Sequence, residues 1–316
     1  MMRARSSLLS LVLGATVLFT ATAARADGLA IGTSELPEAA RKTLVKDVAA
    51  FKTAHPEAFA QVRDIQGIRP DFYKNARKPE PLATVDLKHL GATALLPMLS
   101  ALAIDAPAVT LSEKEKTAYV VGLLEASSVL RDSRSGAVYT AVFESKNKPA
   151  EVLRAAARAM GRLCSDTELA SLKKHTAATD TLRAHAIEGL GECRRKESAE
   201  HLATLLASAT DAAAAEPIAA ALGSTASSWA WKALGASQEA NAKVVQATAA
   251  KALVNAFAKH RDVRVTAKKA LRMVESPDAT ALITTARATA DAATATDLDD
   301  LAKALTPKAL SPKTQP

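Results

Sequence analysis

One ten-residue pattern recurs through the second half of the chain and limits its fold more than any other feature. It appears as Val152–Gly161, Leu182–Gly191, Ala214–Gly223, Val245–Val254 and Val263–Arg272. The ninth position is Met160, Leu190, Leu222, Leu253 and Leu271, and the first four of these are evenly spaced along the chain. Such a step is long enough for a helix, a turn and a second helix. The second helices are visible as Leu169 and Leu172 after the first segment and as Leu202, Leu205 and Leu206 after the next. One helix pair cannot cover its own apolar face, whereas stacked pairs share a continuous core. Small residues at positions 4 to 8 permit close helix approach. Glycine at position 10 is expected to let the chain leave the helix. The fifth segment follows after a much shorter step, from Leu253 to Leu271, and is expected to be a degenerate terminal repeat.

Composition supports helices throughout. About a quarter of the positions are alanine, the best helix former. Aromatic residues make up 3%, too few for a β-sandwich or barrel. With a hydrophobic share of 48% the chain is not disordered, and with 2 cysteines it is not a disulfide-stapled mini-domain. The reading is all-α. Ser34 is expected to cap a first helix carrying Leu36, Ala40, Leu44, Val48 and Phe51 on one face, with a break at His55-Pro56. Residues 27–66 form this N-terminal helical segment. Gly67, Pro70, Pro79 and Pro81 mark residues 67–84 as a linker. Helical patterning then runs over 85–304, with a capping box at Ser112 to Glu115 and a further start at Asp132-Ser133. Residues 305–316, with three prolines, are expected to be a disordered tail.

The repeated segments resemble the second helix of HEAT repeats, above all the short alanine-rich kind of phycobilisome-lyase-like repeat proteins. The pattern V-R-x-A-A-x-A-L-G is echoed by Val152–Gly161 and Leu182–Gly191. The resemblance covers residues 130–275 well and 86–130 weakly. Pro217, Val254 and Arg272 depart from it. It implies an α-solenoid of HEAT-like helix pairs, a fold that serves mainly to bind other proteins. Some short relatives are chromophore lyases, but no residue here carries that activity over.

Residues 1–26 read as a secretory signal peptide. Arg3 and Arg5 precede an apolar stretch, Leu8 to Phe19, and Ala24-Arg25-Ala26 offers a small-residue cleavage site. The stretch is about 12 residues, short of the roughly 20 needed to span a bilayer. Cleavage would remove three arginines and no acid, lowering the formal charge from +8 to +5. That moderate charge argues against nucleic acid as a partner and suits solubility, an acidic partner or an anionic envelope surface. Export to the periplasm or the exterior is the expectation, with no later membrane span.

The sequence carries no recognisable catalytic, cofactor-binding or metal-binding motif. The six histidines form no H-E-x-x-H pair, and no nucleophile elbow or phosphate-cradling glycine loop occurs. Cys164 and Cys193 fall at nearly equivalent places in neighbouring repeats, and a disulfide is expected in an oxidising compartment. Arg154, Arg158 and Arg162 form a stripe along one helix, either a basic binding patch or a solvated face. Trp229 and Trp231 lie about 200° apart around a helix, so one of them is a candidate partner-binding anchor. The expected function is a scaffold or adaptor that binds a protein or peptide on its concave surface. A structural part of an envelope assembly is the alternative, and a lyase-type enzyme the second.

Overall fold

A computed structural model describes residues 27–65, 82–106, 108, 110–177 and 179–306. The signal-like segment, residues 67–81 of the expected linker and residues 307–316 of the expected tail lie outside the described residues. Everything regular among the described residues is helical.

The N-terminal piece holds α1 (Glu38–Ala54) and α2 (Pro56–Asp64), divided at His55 as the proline predicts. Ser34 does not cap α1. It sits in a 3-10 turn, Thr33–Glu35, and Pro37 takes the position before the first helical residue. Upstream, the Leu29 and Ala30 amides donate to the Ala101 and Leu102 carbonyls at 2.8 and 3.0 Å. These bonds satisfy otherwise orphaned carbonyls at the end of α4 (Leu95–Ala103).

The main body begins with α3 (Leu82–His89), so residues 82–84 are helix rather than linker, and Ala83 and Thr84 are buried. There follow α5 (Glu113–Ser128), α6 (Gly136–Glu144), α7 (Ala150–Leu163), α8 (Asp166–Lys174), α9 (Arg183–Glu192), α10 (Lys196–Ser208) and α11 (Ala212–Thr225). Then come α12 (Ser228–Lys232), α13 (Glu239–Lys259), α14 (Arg264–Val274), α15 (Ala279–Ala288) and α16 (Ala292–Leu305). Residues 305 and 306, expected in the tail, are part of the described structure: α16 includes Leu305, and the Thr306 amide donates to Ala302. The capping box at α5 forms, with the Ser112 amide 2.8 Å from the Glu115 carboxylate.

These helices pack in two rows. One row runs α3, α5, α7, α9, α11, α14, each helix against the next. The other holds α4, α6 and α8 and, further along, α10, α13 and α15. Short turns link the rows, and the core between them is continuous from Leu87 to Leu301. This packing is consistent with a helical-repeat solenoid.

Two expectations about the repeat are corrected. The fourth segment, Val245–Val254, lies in α13, which packs on α10 and α15 in the second row. The place after α11 in the first row belongs to α14, which carries the fifth segment. The structural step from Leu222 is therefore to Leu271 rather than to Leu253, and the extra chain is spent on α12 and a long α13. The fifth segment is not terminal either, since α15 and α16 follow it.

The second correction concerns glycine. Gly161 and Gly191 are not where the chain turns, for α7 continues to Leu163 and leaves its helix at Cys164, in the left-handed region at φ 45°. What these glycines provide is approach. A methyl group on Gly161 would drive into the Gly189 carbonyl oxygen, and one on Gly223 would lie 2.6 Å from the Ala270 methyl. Absent side chains at the contacts of α7 with α9 and of α11 with α14 let backbones pack almost directly on one another.

Candidate functional site

The three stripe arginines line up along α7, but acids on both neighbouring helices meet them. Arg154 Nε lies 3.3 Å from Glu188 on α9. Arg158 bridges Glu125 on α5 and Glu192 on α9, each at 3.2 Å. Arg162 pairs with Glu125, donates to Ser128 Oγ at 2.8 Å and reaches Glu192 at 3.7 Å. The Glu125 side chain is only 9% exposed and that of Arg162 15%. This is an ion-pair lattice joining α5, α7 and α9, not a free basic patch.

Its electrostatics follow from burial. Desolvation lowers the Arg158 pKa, but the facing carboxylates of Glu125, Glu192 and Glu188 outweigh it and leave the net shift upward. Glu188 is shifted upward by burial despite Arg154. Arg194, its guanidinium on the Gly191 carbonyl at 2.7 Å, is shifted downward by burial.

The two cysteines come together across the turns that end α7 and α9. Their Cα atoms are 5.5 Å apart, at disulfide distance, across a sequence separation of 29. Cys193 is fully buried and Cys164 nearly so. Arg195 ties the same corner, with Nη1 2.6 Å from Asp166.

The two tryptophans part company. Trp231 is 3% exposed, and its indole donates to the Thr225 carbonyl at 2.8 Å. Trp229 is 79% exposed. The short helix α12 therefore uses one indole to fasten itself to α11 and holds the other out in solvent. Beside α12 lies a cleft of about 420 Å³ lined by Trp231, Lys232, Gly235, Lys243 and Glu275.

Sequence reading missed one cluster. His175, at the end of α8, has Nδ1 2.7 Å from Asp180 and Nε2 3.3 Å from Glu144 on α6, whose carboxylate also accepts from Ser171 at 3.0 Å. The Asp180 carboxylate, accepting from the Leu182 amide and then from His175, has its pKa held below the ordinary range. The only local signal was a histidine and an aspartate five positions apart across a turn. Glu144 lies on another helix and could not be read in. Among the described residues no group of His, Cys, Asp and Glu is placed to hold a metal ion, and no helix is long and apolar enough to cross a membrane. In comparisons with known proteins, no protein-family model and no curated protein matches this chain.

Proposed function

We propose that the chain is an exported HEAT-like repeat scaffold that binds a protein or peptide partner on a concave surface formed by the α5–α7–α9–α11–α14 row. The observation that carries this reading is the close, glycine-mediated packing within the first row. Side-chain-free contacts draw α7 toward α9 and α11 toward α14. A two-row stack whose one row is tightened curves toward that row. The surface so formed presents charges of both signs, Arg154, Glu188 and Glu216, anchored from helix to helix by side-chain bonds. Such a surface offers a polypeptide many polar contacts of both signs, the usual task of a solenoid's inner face. The leader-like segment at residues 1–26 and the cysteine pair at disulfide distance support an oxidising, exported setting.

Photocrosslinking in the native cell tests the reading. A crosslinkable amino acid at the exposed positions Ala184 or Ala220 should capture discrete polypeptides. If Thr284, on the exposed face of α15, captures the same species with equal yield, the proposed face is wrong.

A further inference from the structure

The structure points to a specific docking corner on this scaffold: we propose that the α12–α14 corner, centred on Trp229, takes an acidic polypeptide segment bearing a large apolar side chain. This rests on the partner-binding reading above and names the partner's chemistry.

Exposed apolar surface is concentrated there. Among the described residues the two most exposed large hydrophobic side chains are Trp229, at 79%, and Val265, at 80%, and Met273 on α14 is exposed as well. Isolated exposed apolar residues need no explanation, but a tryptophan beside clefts does. Ser228 Oγ donates to the Glu275 carboxylate at 2.6 Å and Lys232 reaches it at 3.5 Å. These bonds pin α12 against the C-terminal end of α14, so Trp229, on the same side of α12 as Lys232, is held at the end of α14 that carries Met273. Two clefts, of about 420 and 690 Å³, meet at Glu275. From Val265 to Met273 is about 12 Å along the helix, the span of roughly four extended residues.

Charge selects the occupant. The arginines of α7 are matched by acids, whereas Lys268 and Lys269 on α14 have no ion-pair partner among the described residues. Arg272 spends its guanidinium on the Ala304 carbonyl at 3.3 Å, which leaves its charge uncompensated by any carboxylate among the described residues. Surplus cations, an exposed indole and adjoining clefts match a segment with carboxylates around one apolar anchor. A flat anionic membrane would leave both clefts unfilled.

Selection of a phage-displayed library of random dodecapeptides on the mature chain tests the proposal. Enriched peptides should carry net negative charge and one large apolar residue, and their binding should shift the emission of Trp229. Trp229→Ala and the double variant K268E/K269E should each weaken binding at least about tenfold. Unchanged melting temperatures would show that both variants fold. Enriched peptides that bind both variants as well as the parent would overturn the corner and leave the scaffold reading standing. Failure to enrich any peptide, or an emission shift given only by phosphatidylglycerol vesicles, would also overturn it. The crosslinking outcome at Ala184 and Ala220 judges the scaffold reading separately.

Discussion

Single side chains carry much of what makes this stack specific. Gly161 and Gly189 have no Cβ where α7 meets α9, and the adjoining carbonyl oxygens occupy that space. Alanine normally favours a helix over glycine by up to about 1 kcal/mol. Gly161→Ala should nevertheless cost about 2–3 kcal/mol, because the helices must separate. Gly122→Ala, whose nearest neighbours sit at an ordinary 3.4 Å, should be close to neutral. Urea unfolding of the two variants checks the contrast. The tryptophans differ for the same kind of reason. Trp231→Ala removes a buried indole and its bond to Thr225, and should cost about 3–5 kcal/mol. Trp229→Ala should leave the melting temperature unchanged. Asp132 supplies a pH-dependent term. Its hydrogen bonds with Arg134 hold its carboxyl below the ordinary value of 3.8. The unfolded chain thus takes up this proton first, so the stabilisation is complete above the ordinary carboxylate range and fades as the pH falls through the folded value. Asp132→Asn should make the acid loss of stability shallower, as read from urea midpoints at neutral and acid pH.

At the scale of elements, α7 is the hub. It touches α5 and α9 in its own row, and its arginines clamp both through Glu125, Glu188 and Glu192. Glu125→Ala would leave the half-buried guanidiniums of Arg158 and Arg162 without the carboxylate they share. A loss of about 3–5 kcal/mol is expected, and Glu125→Gln should recover part of it. Thermal denaturation of both variants decides the matter. The Cys164–Cys193 pair clamps α7 to α9 at their ends. Alkylation of the unreduced protein should label neither thiol, and Cys193→Ser should cost about 3.5 kcal/mol, the chain-entropy value for a loop of this length. The stripe of arginines was readable in the sequence as a spacing of four. That it is compensated was not, because Glu125 and Glu192 sit on other helices, far along the chain from their partners, and reach them only through stacking.

Taken whole, the described helices contact mainly their neighbours in two rows, a packing consistent with a helical-repeat solenoid. Helices at the ends of such an array have contacts on one side only, so they open first. Amide exchange should therefore be slowest in α7 and α9 and fastest in α15 and α16. Uniform protection from α3 to α16 would mean that the array behaves as one cooperative unit. The proposed docking corner belongs to this scale, for it lies where the regular period breaks. Between Leu222 and Leu271 the chain inserts α12 and lengthens α13, and the inserted helix carries Trp229 outward.

The sequence alone determined that the chain is helical, since alanine content, apolar spacing and capping boxes are local quantities. It also located the His55-Pro56 break, the start at Ser112, and the pair of cysteines in corresponding turns. Tertiary structure decided what depends on which helix lies beside which. A sequence period counts chain length and not spatial neighbours, so Leu253 looked equivalent to Leu222 although α14 is the helix that follows α11. Glycine at the end of a motif reads as an exit from the helix, but here its missing side chain serves contact. Charge compensation and exposure, which separate Arg158 from Lys269 and Trp231 from Trp229, are properties of surroundings, and surroundings are assembled only when the rows close on each other.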